Sequence, residues 1–425
     1  MAFGKSLFAK ELEDSSSDDD DYLIMSAAAI IETYSNQKGR HGGSVLGHKV
    51  IYRDREGGHQ RMFQDYLVDD PTYGPDLFRR RYRMSRNLFV RIMNAVESYD
   101  DYFVQKRSAA NVLGLSCFQK VTAAFCMLTY GVPADATDEY IRIGESTAIE
   151  SLHRFVAAVV DLFEEEYLRY PNEADTTRLL ALGEQNGFPG MLGSIDCMHW
   201  TWKNCPVEWQ GQYKGHMEEP TIILEVVASN NLWIWHSFFG MTGSHNDINV
   251  LHRSPLFAKL AEGRVPEVNY TINGHDYTMG YYLADGIYPS WATLVKSISQ
   301  PMENKNKYFA KAQEAARKDV ERAFGVLQSR FAIVRGAARL WDTETLGIIM
   351  KACVIMHNMI IEDEGVVDPT ERFDYGGQNV EPSHESNRTL DEFIEAHKRI
   401  RDKEIHHQLK ADLIEHLWQY FPDKY

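Results

Sequence analysis

Three acidic residues interrupt otherwise apolar stretches of the chain. Asp196 follows Leu192 and Ile195 in MLGSIDCMHW (191–200). Asp285 ends the run Tyr281, Tyr282, Leu283, Ala284 and precedes Gly286, while Glu321 follows Val320 on an amphipathic segment. A carboxylate at the edge of a core is costly unless a cation or hydrogen bonds satisfy it. Carboxylate oxygens suit hard divalent ions such as Mg²⁺ or Mn²⁺. Three of them from separate elements can hold two ions, one activating water or a 3′-hydroxyl, the other stabilising the leaving oxygen in a phosphodiester displacement. Taken singly, each acid is read more simply as a turn cap or a surface residue. The trio carries the argument, because two strand-end Asp residues and a helix Glu converge at one sheet edge, where α/β sites usually lie.

Asp247, in HNDIN, rivals Asp285 for the second position. It lies 74 residues before Glu321, whereas Asp285 lies 36 before it, and we read Asp247 as a supporting residue. His199, His245 and His357 are read as hydrogen-bonded structural residues, with His199 kept as a second supporter of the acids. Cys197, His199 and Cys205 fit no standard zinc spacing. Of the tryptophans, Trp200, Trp202, Trp209, Trp233 and Trp235 could stack on unpaired bases, but packing is the expected duty of most.

The elements that must position these acids follow from periodicity. Residues 191–200 read as a strand, 221–240 as a hairpin around Asn230-Asn231, and 278–289 as a further strand ended by Gly286 and Pro289. A long helix over 311–334 carries the apolar stripe Val320, Phe324, Leu327 and Phe331, and another buried helix is expected at 340–361. Upstream, 77–99 has helical spacing, SCFQKVTAAFCMLTYG stops at Gly131, and two helices flank Gly144 with Ser146 as the expected N-cap. The predicted organisation is an acidic disordered tail (1–22), a basic flexible arm (23–75), a helical, helix-turn-helix-like domain (76–185) and a mixed α/β domain (186–362). A loop (363–388) and a C-terminal amphipathic helix (389–425) with Ile405, Leu409, Leu413 and Leu417 at four-residue steps complete it.

Among 425 residues, 44% are hydrophobic and 25% charged, as in an ordinary globular protein. No uninterrupted apolar run reaches the length of a membrane span, and no secretory signal is recognised at the start. Five cysteines without a CxxC pair fit a reducing compartment. The net charge of −16 is concentrated at the ends, since 1–22 carries 2 basic and 7 acidic residues and 362–425 carries 8 and 16. Basic residues outnumber acidic ones 8 to 4 over 76–110 and 9 to 4 over 301–340. Arg79, Arg80, Arg81, Arg83 and Arg86 in the first cluster are therefore candidates for phosphate contact. Lys305, Lys307, Lys311, Arg317, Lys318, Arg322 and Arg330 are the candidates in the second. A solvated helix face explains either cluster equally well.

GSIDCMHW, GSHNDINVL, YYLADGIYPSW and RKDVERAFGVLQSRF resemble the signature blocks of PIF/Harbinger transposases, especially their Pong-like plant branch. The similarity runs from RDREGG near residue 53 through GESTAIESLHRF and NCPVEWQGQYKG to HNMIIED near 363. The resemblance implies an RNase H-like catalytic domain whose DDE triad, here Asp196, Asp285 and Glu321, binds two Mg²⁺ ions. It also implies cleavage and strand transfer at terminal inverted repeats of double-stranded DNA, TTA-like target sites, a Myb-like partner protein, self-association and a nuclear location. A descendant kept as a DNA- or chromatin-associated regulator without cleavage is the second reading, and a repair nuclease a more distant third.

Overall fold

The computed structural model describes residues 51–109, 111–215, 218–262, 268–365 and 390–421. The expected acidic tail, the arm up to residue 50 and most of the 363–388 loop lie outside the described residues. The described residues from Arg53 onward form one compact unit.

The expected arm ends early, because α1 (Arg55–Tyr66) begins inside it. Asp54 caps this helix by accepting from the Gly57 N–H, and Met62 and Tyr66 are its buried anchors. Its polar average hid those two positions from a periodicity reading. The segment expected as one helix over 77–99 is two, α2 (Pro75–Tyr82) and α3 (Arg86–Tyr99). Arg83 adopts a left-handed conformation (φ 64°) and Ser85 caps the second piece, so the apolar spacing continues through a break that needs no glycine. α4 (Cys117–Tyr130) has a capping box from Ser116 and Gln119 and stops at Gly131, also left-handed. α5 (Glu145–Tyr167) starts at Gly144, not at the expected Ser146 cap. Phe78, Tyr82, Phe89, Phe125 and Phe155 form a chain of ring contacts that joins α2, α3, α4 and α5. After α6 (Glu173–Gln185) the chain enters the sheet.

Five strands form a mixed sheet: β1 (Met191–Thr201), β2 (Thr221–Ala228), β3 (Ile234–Thr242), then β6 (Tyr281–Ala284) and β7 (Leu294–Lys296), in the order β3-β2-β1-β6-β7. The first three are antiparallel, while β6 runs parallel to β1 and β7 parallel to β6. The expected hairpin turn is present, but the residue with positive φ is Leu232 (68°), not an asparagine. Asn231 contributes its side chain instead, its Oδ1 accepting from Ser229 and from the Trp233 N–H. Between β3 and β6 lie α7 (Asp247–Arg253), α8 (Leu256–Ala261) and a small hairpin of β4 (Tyr270–Ile272) and β5 (His275–Tyr277).

α9 (Asn304–Arg330) lies across β1, with the expected stripe Val320, Phe324, Leu327 and Phe331 buried. Two contacts set its position. Ser194 Oγ donates to the Ala316 carbonyl at 3.3 Å, and the buried Gln313 amide donates to the carbonyls of Ala284 and Val295 at 2.9 and 3.1 Å. α10 (Thr343–Glu364) is long and apolar enough to cross a membrane by composition, yet it is packed inside the protein. The core in which it lies runs without interruption from α1 through the sheet, across the boundary expected at 185/186. The expected single C-terminal helix is two, α11 (Leu390–Ile400) and α12 (Lys403–Tyr420), broken where Asp402 caps the second. Leu409, Leu413 and Leu417 pack on Phe309, Tyr277 and Leu283 within the chain.

On α10, Asn358 accepts from the Ile234 N–H and donates to the carbonyls of Ile234 and Tyr167, fastening the sheet edge to α5. His357 beside it is fully buried, donating from Nε2 to the Leu232 carbonyl (2.9 Å) and accepting at Nδ1 from Arg330 (3.2 Å). Burial, reinforced by the Arg330 charge, lowers its pKa to about 3. Because the folded pKa is depressed, the stability it contributes is complete above the unfolded value near 6.5 and is lost as pH falls towards 3. His357→Gln, which can keep both hydrogen bonds, should flatten the acid loss of stability in urea titrations between pH 6.5 and 4. An unchanged slope contradicts the assignment.

Candidate active site

Parallel pairing of β1 with β6 places Ser194 opposite Leu283. Two residues further on each strand stand Asp196 and Asp285, so the register alone makes them neighbours at the carboxyl end of β6. β6 stops at Asp285 because the carboxylate turns back and accepts from the Ile287 N–H at 2.7 Å. β1 runs on to Thr201 past the end of its pairing with β6, and its far end is met by Ala338, whose N–H donates to the Thr201 carbonyl, so Asp196 stands where the β6 pairing has stopped. Gly193 permits this course: its φ is 154°, and a Cβ there would sit 2.7 Å from the Ala228 carbonyl oxygen.

Asp196 is half-buried, and one carboxylate oxygen accepts from the Cys197 N–H at 2.9 Å. The other meets Arg317 at 3.2 Å. Burial pushes the Asp196 pKa up to about 6, the Cys197 N–H and Arg317 pull against it, and the charges of Asp247 and Asp285 push it higher. Asp247, first residue of α7, is raised for the same leading reason, burial, followed by the charge of Asp285. These mutual effects mean that Asp196, Asp247 and Asp285 share one electrostatic neighbourhood. Glu321 joins from α9 through Arg317, whose second nitrogen meets Glu321 Oε1 at 2.7 Å. The guanidinium thus bridges two of the four carboxylates, Asp196 and Glu321, while Asp247 and Asp285 bear on Asp196 through their charge.

Their chemistry fits a hard cation, since oxygen donors and an excess of negative charge are what Mg²⁺ or Mn²⁺ requires. Among the described residues, however, no three His, Cys, Asp or Glu side chains stand ready to grip an ion together. The guanidinium lies between two of the acids that would have to close on it. The residues fit the ion in kind, and reach it only with a change of side-chain position.

The remaining sequence candidates fall in various places. His199 Nδ1 pairs with the buried Thr221 hydroxyl at 2.9 Å, on the strand that carries Asp196, and its charge favours ionised Asp247. His245 Nδ1 pairs with Thr242 at 2.6 Å, while His357 is spent in the core. The Cys197 thiol faces the Tyr288 hydroxyl at 3.6 Å and burial raises its pKa. Trp200, Trp202, Trp233 and Trp235 are core residues, whereas Trp209 is 44% exposed.

Several of the basic candidates are already engaged. Lys305 pairs with Glu415, Arg322 with Asp319, Arg79 with Glu364, and the buried Arg330 with both Glu364 and His357. Arg81 and Arg83 lie over the Tyr130 ring, and Arg86 donates to the Val68 carbonyl. Lys307, Lys311, Lys318 and Arg80 are exposed. Two residues that shape the site were not singled out by the sequence reading in these roles. Arg317 was grouped with surface cations although its place four residues before Glu321 signals an intrahelical pair, and Gln313 carries no local signal at all.

Crowding like charges at a partly buried edge works against the fold when no divalent ion is present. Asp285→Asn or Asp247→Asn should therefore stabilise the chain in EDTA, by on the order of 1 kcal/mol. Thermal unfolding of each variant checks this, and a loss of stability would show that the acids do not repel one another.

The plant transposon protein family matches residues 165–368, which include all four acids and Arg317, and a domain family of unknown function matches 58–97. The chain is 24% identical over 301 residues to "Protein ALP1-like" of Arabidopsis thaliana, covering 68% of this chain and 72% of that protein. It is also 24% identical over 232 residues to the proteins named "Putative nuclease HARBI1" in Homo sapiens and Bos taurus, covering 52% of this chain and 62% of theirs. No solved structure matches. Residues 165–368 are therefore similar to the plant transposon protein family, and the chain is similar to the protein named ALP1-like and to the putative nucleases HARBI1.

Proposed function

We propose that the protein is a DNA transposase or endonuclease that cuts phosphodiester bonds at the terminal inverted repeats of a mobile element and joins the freed ends to TTA-like targets. The single observation behind this reading is the meeting of Asp196, Asp247 and Asp285 at the end of β6 with Glu321 across from them, an excess of carboxylate that a divalent cation would offset. A sheet of three antiparallel strands extended by two parallel ones, with the acids on its central strand, the neighbouring parallel strand and a covering helix, supports an RNase H-like assignment.

Asp196, Asp285 and Glu321 would hold two Mg²⁺ or Mn²⁺ ions, which supply the activation of the attacking hydroxyl and the neutralisation of the leaving oxygen. Asp196 and Asp285 come from adjacent strands and set the separation on one side. Glu321, with its side chain 45% exposed, closes from the helix on the other. Asp247 adds negative charge close to both strand acids. Lys307, Lys311 and Lys318, exposed on α9, are the cations best placed to follow a DNA backbone. The helical layer with Arg80 would bind the flanking duplex. A Myb-like partner, self-association and a nuclear location belong to the same reading. Retention of all three acids favours cleavage over a purely regulatory descendant.

Incubating the full chain with duplexes taken from the flanking inverted repeats, in Mg²⁺, tests this directly. Asp285→Asn and Glu321→Gln should each cut more slowly by about 10²–10³-fold, the usual cost of removing one preorganised electrostatic contributor. Cleavage at the wild-type rate by either variant removes that acid from the mechanism.

A further inference from the structure

The feature that the proposed chemistry does not use is Arg317 itself. Its side chain is only 14% exposed, and its two terminal nitrogens are divided between Asp196 Oδ2 (3.2 Å) and Glu321 Oε1 (2.7 Å). A guanidinium presents a planar fork that suits two carboxylates at once. The backbone beneath it cannot retreat freely, because the preceding residue, Ala316, accepts a hydrogen bond from Ser194 on β1. Gln313, one turn earlier, ties the same helix to the ends of β6 and β7. Any exchange at this point therefore falls to the arginine side chain. Asp247 and Asp285 add their charge to Asp196, with His199 bearing on Asp247.

We propose that Arg317 is the resident counter-ion of the carboxylate cluster and competes with the divalent metal for Asp196 and Glu321. With no metal bound, the guanidinium holds the two acids together across the gap between strand and helix. When an ion enters, both oxygens that it needs must first be released by the arginine, so binding is weaker than the four acids alone would give. Metal binding would then leave the Arg317 guanidinium free of both acids. This inference rests on the reading of Asp196, Asp285 and Glu321 as metal ligands.

Manganese binding by the full chain, followed through the electron paramagnetic resonance signal of free Mn²⁺, tests the competition without reference to cleavage. Arg317→Ala should bind Mn²⁺ about tenfold more tightly than wild type, as expected if a part-buried ion pair no longer has to be broken. Arg317→Gln, which keeps a hydrogen-bond donor and most of the side-chain volume but no charge, should move in the same direction and covers the case in which alanine fails to fold. Arg317→Lys, which keeps one charge, should stay nearer to wild type. Equal or weaker Mn²⁺ binding by the alanine and glutamine variants overturns the proposal. Asp196→Asn and Asp285→Asn are the separate control: if they leave Mn²⁺ binding unchanged, the ligand assignment fails, and the competition with it.

Discussion

Parallel pairing between β1 and β6 is the constraint on which the rest depends. It is the contact that makes neighbours of two acids 89 positions apart in the chain, Asp196 and Asp285. Parallel strands cannot be joined by a tight turn, so the chain must travel out through β2, β3, α7, α8 and the small hairpin before returning. That detour is also what brings Asp247 to the site. Once the two strands are side by side, a single helix needs to cross them at one height to deliver Glu321, and Gln313 sets that height by hydrogen-bonding to the carbonyls where β6 and β7 end.

The interior resolves the cost of so many buried polar groups by pairing them in fixed forms. Asn358 uses both ends of its amide on backbone groups of β3 and α5, and His357 is held in one tautomer between a carbonyl and an arginine. Asp412 on α12 accepts from Tyr277 and pairs with His275, which anchors the C-terminal helix to the β4–β5 hairpin. The functional edge departs from this rule. There, Asp196, Asp247, Asp285 and Glu321 crowd together, and the guanidinium of Arg317 pairs with only two of them.

Much of this was legible in the residues. Strand alternation and terminal Gly-Pro signals located β1, the β2–β3 hairpin and β6, and the stripe from Val320 to Phe331 located α9, because burial on one face leaves a period in the sequence. The placement of Asp196 at the edge of the core followed from an acid breaking an apolar run. What could not be read were features with no period: the break at Arg83, the early start of α1, the positive φ at Leu232 and the tie made by Gln313. Each is settled by a partner distant in sequence or by a backbone conformation that an ordinary side chain tolerates. Asp247 illustrates the other limit, since its spacing set it apart from the other acids while the fold brings its charge to bear on two of them.

The uninterrupted core between the helical layer and the sheet has a mechanical meaning. A binding module on a flexible tether can hold DNA at a range of distances from a cleaving edge. Here α10 packs against α5 on one side and β3 on the other, so any duplex held by the helical layer is presented to the carboxylates at one fixed offset. Under the proposed function the protein would act as a ruler, with the nick falling a constant number of base pairs from the recognised sequence.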